Sequence, residues 1–193
     1  NKWEIWVDGN LENSISSGTN NPDLASSAPL TIGNYQLQSE NYFSGEIDEV
    51  RIWNIARTSQ EIRDNMCRKI LASSPGLVGY YKLDEATGNS AADQSVFNLS
   101  GTLTNFSSPT WRTSGAPIGD ISTHLYGTNW VNKKVKLAGI LNDTLITQDI
   151  TSNANGIHIY RVNGAPNVLP PNFTNAYFGI FAPAGMNAIP GSN

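Results

Sequence analysis

In several segments of the chain apolar and polar residues alternate with a period of two, the pattern of strands with one face buried. The alternation runs from Lys2 to Val7, breaks at Asp8-Gly9-Asn10 and resumes from Leu11 to Ile15. That predicts a hairpin whose turn uses the positive φ that Gly and Asp tolerate. Asn20-Asn21-Pro22-Asp23 and the Ser/Ala stretch to Pro29 read as a loop, and Pro29 to Gly33 begins another strand. A polar loop at 36–40 precedes the clearest strand, Tyr42 to Trp53. There the period changes. Thr58-x-x-Glu61 is a capping box, and Ile62, Met66 and Ile70 follow at i, i+4 and i+8, which predicts one short helix. Pro75-Gly76 ends that region. Leu77 to Leu83 reads as a strand with large apolar residues on both faces, and polar loops lead to Gly101-Thr102-Leu103-Thr104 and Trp111.

Gly115-Ala116-Pro117-Ile118-Gly119-Asp120 has the punctuation of a linker. Beyond it, strands are expected at Val131 to Ala138, Asp143 to Thr147, Gly156 to Val162 and Tyr177 to Ala182. The fold class expected is all-β, an antiparallel β-sandwich with one short helix, followed by a second β-domain. The expected domains are 1–116 and 117–193.

Composition agrees with that class and removes others. Only 15% of the 193 residues are charged, against about 25% in ordinary globular chains. Asn, Ser and Thr supply roughly three residues in ten, and their side chains compete with a helical backbone for hydrogen bonds. No apolar run approaches the ~18 residues of a spanning helix, so no membrane insertion is expected. Twelve Lys and Arg against sixteen acids, net charge −4, give no basic field for nucleic acid. The cluster Lys133, Lys134, Lys136 is too small to create one. A single cysteine, Cys67, forms neither a disulfide framework nor a Cys-based zinc site. The chain opens on Asn1-Lys2-Trp3, already inside a strand pattern, without Met or a signal pattern. Either a removed leader or a longer parent polypeptide is expected.

Phe43-Ser44-Gly45-Glu46-Ile47-Asp48-Glu49-Val50-Arg51-Ile52-Trp53-Asn54, followed by Ala56-Arg57-Thr58 and Glu61-Ile62, resembles the closing strand and helix of laminin-G-like, concanavalin A-like jelly rolls. Trp3 to Gly9 and Pro29 to Gly33 sit where that family has its preceding strands. Leu77 to Leu83, Asp84-Glu85-Ala86-Thr87-Gly88, Asp93 and Gly101-Thr102-Leu103 resemble a segment of multidomain surface proteins of Bacteroidota, one that either completes such a jelly roll or opens another. The resemblance covers residues 1 to about 116. Tyr126 to Trp130, Gly156 to Val162 with Ala165-Pro166-Asn167, and Tyr177 to Phe181 are similar to repeat domains in large secreted adhesins of gliding bacteria. Complete jelly rolls of this kind have strands before the position of Lys2, so both ends are expected to be cut.

The family includes laminarinase-like glucanases, whose three carboxylates at i, i+2 and i+4 share one strand face. Here Glu46 and Asp48 are followed at i+4 by Val50, and Glu49 points to the other face, so no acid/base partner is expected. Asp48, beside Val50 and Ile52, must accept hydrogen bonds or bind a cation. The resemblance implies a structural Ca²⁺, an ion satisfied by oxygen ligands, with Asp48, Asp84 and Asp93 as its candidates. The competing reading makes them turn-capping residues. His124 and His158 lack a Gly-x-Ser-x-Gly nucleophile to serve, and His158 reads as a strand residue facing away from Ile157 and Ile159. Cys67 reads as a packed thiol. Among the aromatics, most are expected in the core, with Tyr35 and Tyr42 as candidate stacking platforms for sugars near their loop. Asp143-Thr144-Leu145 fits a short O-glycosylation pattern of Bacteroidota.

The function expected is a non-enzymatic, extracellular segment of a large cell-surface or secreted adhesin of the gliding-motility, type IX secretion kind. It would act as a ligand-binding or spacer β-sandwich. The partners expected are a surface polysaccharide or other extracellular ligand, and the rest of a longer polypeptide or its secretion machinery. The alternative is an accessory carbohydrate-binding module of a secreted polysaccharide-degrading enzyme.

Overall fold

The computed structural model describes residues 2–16, 28–34, 42–105, 111–127, 129–137, 144–146, 155–164 and 176–183. Among them the fold is all-β, with antiparallel ladders and a single helix. Strands β1 (Lys2–Val7) and β2 (Asn10–Ser16) form the expected hairpin. Asp8 and Gly9 turn it with φ of 50° and 75°, the doubly positive signature of a type I′ turn. Strand β3 (Val50–Trp53) is followed by α1 (Ser59–Met66) and β4 (Leu77–Tyr81). Short strands β5 (Ser90–Ala91) and β6 (Gly101–Thr102) pair with each other. Then come β7 (Ile121–Tyr126), β8 (Lys134–Lys136), β9 (Thr144–Ile146), β10 (Gly156–Asn163) and β11 (Ala176–Phe181).

The helix has the cap its sequence calls for. Thr58 Oγ1 accepts the Glu61 N–H at 3.2 Å while the Glu61 carboxylate accepts the Thr58 N–H at 2.8 Å. Those bonds, the Thr58 hydroxyl and Arg57 hold the Glu61 carboxyl below its ordinary range. The helix stops at Met66, with Cys67 as its C-cap, so Ile70 lies outside the apolar stripe expected to include it.

Two strand expectations need correction. Tyr42 to Trp53 is a strand only from Val50, and Pro29 to Gly33 contains none. Alternation makes a strand only where a neighbour supplies the ladder hydrogen bonds. Among the described residues 42–49, only Tyr42 has a bridge, to Asn34, and Glu49 takes a φ of 51° that ends any extended run.

The chain forms two compact units that are not consecutive stretches. The first holds residues 1–3, 15–56 and 71–115; the second holds 4–14, 57–70 and 116–193. The hairpin turn and the helix, expected within a domain of 1–116, thus group with the later residues.

In the first unit β3 pairs with β4, Val50 opposite Tyr81 and Arg51 opposite Tyr80, with a register shift between Ile52 and Trp53. Its buried residues include Leu77, Tyr80, Ala91, Asp93 and Ser95.

The second unit is built on the sheet β11-β10-β7. Trp130 and Ile157 are its buried centre, with Leu125 and Leu145 against them. Two glycines in that sheet lie under aromatic rings of directly opposed residues, Gly156 under Tyr126 and Gly179 under Tyr160. A methyl at Gly179 would fall inside the Tyr160 ring. Gly179→Ala is therefore expected to cost about 2 kcal/mol through overpacking, read as a lowered thermal midpoint. An unchanged midpoint would show that Tyr160 swings aside freely.

Candidate functional site

The β3–β4 ladder of the first unit carries charged groups at one end and an open apolar groove at the other. At the charged end the Tyr80 hydroxyl donates to Glu49 Oε2 at 2.7 Å, and an Arg51 guanidinium nitrogen donates to the same oxygen at 2.5 Å. Burial, then the Glu49 carboxylate, pushes the Tyr80 phenol up to about 12. Lys82 lies 5.6 Å from the centre of the Tyr80 ring. Withdrawal from water, then the charges of Asp48 and Glu49, raise the Asp84 carboxyl above its ordinary range. Three non-glycine residues bordering this end, Glu49, Leu83 and Ala86, hold positive φ of 51°, 58° and 61°. Such strained backbone persists only where its surroundings enforce it.

Of the carboxylates weighed as a glucanase set, Glu46 faces Arg112 at 3.6 Å with its side chain 75% exposed. Asp48 accepts the Ser114 hydroxyl, and Glu49 is engaged as above. Each therefore has its own partner. Asp48 also lies outside β3, so it does not share a strand face with Val50 and Ile52 as expected.

The three carboxylates weighed for Ca²⁺ do not form one set. The charge of Asp48 acts on Asp84, while Asp93 is fully engaged elsewhere. Its Oδ1 accepts the N–H groups of Tyr80 and Ser95, and its Oδ2 the Ser95 hydroxyl and the Leu99 N–H, all at 2.8 Å. Burial alone would raise the Asp93 carboxyl, but these donors outweigh it and hold it below the carboxylate range. Asp93 therefore acts as a hub that ties β4 to the loop 93–99. Among the described residues no three His, Cys, Asp or Glu side chains converge as metal ligands, and these side chains do not fit the implied ion as a trio.

At the other end of the ladder lies a groove of about 550 Å³, with Ile55, Pro75, Val78, Val96 and Phe97 among its apolar walls and Asn54 and Ser73 among its polar ones. Gly76, at φ 80°, lets Ile55 pack directly on the backbone there. Val96 and Phe97 are 65% and 54% exposed. An open aromatic ring beside side-chain amide and hydroxyl groups suits a ligand with an apolar face and hydroxyl edges. Tyr42 is exposed as expected, next to Phe43; Tyr35 and Asp143 lie outside the described residues.

Sequence reading did not single out Phe97 or the Glu49–Arg51–Tyr80 set. Arg51 and Tyr80 are directly opposed across two strands, a pairing that only the register discloses. Among the described residues, no helix is long and apolar enough to cross a membrane.

No curated protein and no solved structure matches the chain. Residues 1–63 match a family described as the Concanavalin A-like lectin/glucanases superfamily. Over that stretch the chain is similar to concanavalin A-like lectins and glucanases, and its antiparallel, all-β architecture agrees with their sandwich fold.

Proposed function

We propose that this chain is a non-enzymatic, extracellular β-sandwich segment of a large cell-surface or secreted adhesin, and that its first unit binds a polysaccharide along the β3–β4 ladder. The match of residues 1–63 to a lectin/glucanase superfamily is the observation that carries this reading. The groove supports it with an exposed aromatic, Phe97, and polar side chains beside it. Separate engagement of Glu46 by Arg112, of Asp48 by Ser114 and of Glu49 by Arg51 and Tyr80 supports binding without hydrolysis, since a retaining glycosidase directs two carboxyl groups at one scissile bond. The superfamily also contains glucanases, so the second reading is an accessory binding module of a secreted polysaccharide-degrading enzyme.

The test is a glycan array on the purified chain, followed by titration of the best polysaccharide. Phe97→Ala is expected to weaken binding by roughly tenfold, the upper range of one aromatic contact, with the thermal midpoint unchanged. No β-glucan should be hydrolysed. Binding indifferent to Phe97→Ala would move the site off the groove, and hydrolysis abolished by Glu46→Gln would overturn the non-enzymatic reading.

A further inference from the structure

The second unit buries a cluster that ligand binding along β3–β4 does not use. His158 on β10 is fully buried. It stands opposite His124 of β7 on one side and Phe181 of β11 on the other. Its Nε2 lies 2.7 Å from the Tyr126 hydroxyl, and that hydroxyl donates to the Asp8 carbonyl at 2.9 Å. A phenol has one proton to give. With that proton on the Asp8 carbonyl, His158 must supply the other bond as an Nε2–H donor, which leaves Nδ1 as a bare acceptor. That Nδ1 is buried and, among the described residues, has no partner.

Tyr126 in turn secures the hairpin turn. Its ring lies against the α-carbons of both Gly9 and Gly156. The Arg63 guanidinium sits 4.0 Å over the ring centre while its Nε donates to the Gly9 carbonyl at 2.8 Å.

We propose that Tyr126 and His158 form an acid-released latch on the Asp8-Gly9 turn: neutral His158 holds the phenol that holds the turn, and a proton taken up at Nδ1 releases it. The added N–H would be a buried cation with no acceptor. The charges around it do not compensate. On α1, Arg63 is a cation and Asp64 is turned to His124, 3.6 Å from its Nδ1. On β7, His124 lies 5.3 Å from the His158 ring and becomes a second cation in acid. At Tyr126 the turn offers the Asp8 carbonyl and, at longer range, its charge, and the helix end offers Cys67; neither is among the influences on His158, to which Phe181 offers a ring. Burial first, then His124 and Arg63, lower His158 to about 4. The imidazolium is relieved when the ring reaches water, which parts it from Tyr126.

The test is amide hydrogen exchange of the whole chain between pH 7 and pH 3.5, expressed relative to intrinsic rates. In the closed state His158 titrates near 4, and in the released state near the ordinary 6.5. The opening constant of β1–β2 should therefore rise about tenfold per pH unit below about 6.5 and level off near pH 4, a total of roughly 300-fold. The β3–β4 ladder should keep its protection. His158→Gln should abolish the rise. Should that variant not fold, His124→Gln serves: without the neighbouring cation His158 protonates more readily in the closed state, so levelling comes at higher pH and the total rise shrinks. The same acid response in His158→Gln, an unaltered one in His124→Gln, or equal loss of protection in all strands would overturn the latch.

Discussion

Asp93→Ala is expected to destabilise the first unit by about 4 kcal/mol, because it strands two buried N–H groups, a part-buried one and a buried hydroxyl that now share one carboxylate. Asp93→Asn keeps one acceptor oxygen but turns an NH₂ group toward donors, and should lose about half as much. Urea melts of the three proteins measure both. A loss below about 1 kcal/mol in the alanine variant would mean that water replaces the carboxylate without difficulty. The same carboxylate sets an acid limit. Its folded pKa is depressed, so the stability it contributes is complete above the unfolded value of about 3.9 and is lost as pH falls through the lower folded value.

Separating the chain between Gly115 and Ala116 is expected to leave residues 116–193 without a cooperative fold. That piece would keep β7 to β11 but lose what packs against them within the second unit. The Gly119 N–H donates to the Cys67 carbonyl and the Lys69 N–H to the Gly119 carbonyl, at 3.0 and 2.8 Å. Lys69 pairs with Asp120 at 2.9 Å, and Cys67 is wholly buried. Without residues 57–70 those backbone groups and the face around Cys67 would meet water. A broad, non-cooperative melt with dye-binding apolar surface is expected for 116–193, and recovery when 1–115 is added as a separate polypeptide. A sharp melt of 116–193 alone would count against the two-part assembly of this unit.

What the sequence discloses is local. The hairpin follows from alternation broken by Asp8-Gly9, and the helix from its capping box, because each signal lies within a few residues of the structure it makes. Strand β7 escaped notice for the opposite reason. In Ile121-Ser122-Thr123-His124-Leu125-Tyr126 the face carrying Ser122, His124 and Tyr126 looks like a solvent face, yet His124 and Tyr126 meet the buried His158. Polarity was a poor guide there because the groups satisfy one another. Likewise Tyr42 to Glu49 has the alternation of a strand but, among the described residues, no ladder beyond the single bridge of Tyr42 to Asn34, and partners are not written into a single segment. Asp93 illustrates a third limit. Its residue type fits a turn cap or a metal ligand equally, and only the four donors converging on it decide between them.

The two-part origin of the second unit also bears on the order in which a ribosome delivers it. Tyr126 and Asp8 are 118 residues apart in the chain, and at about 5–20 residues per second the hairpin turn waits on the order of ten seconds for the phenol that secures it. Through that interval the apolar side chains of β1 and β2, with Trp3, Ile5 and Val7 exposed even in the finished fold, have no second unit to join. A nascent chain in this condition pairs readily with others like it. Slowed elongation before residue 116 should therefore lower the soluble yield, whereas slowing after residue 181, once β11 has been made, should leave it unaffected.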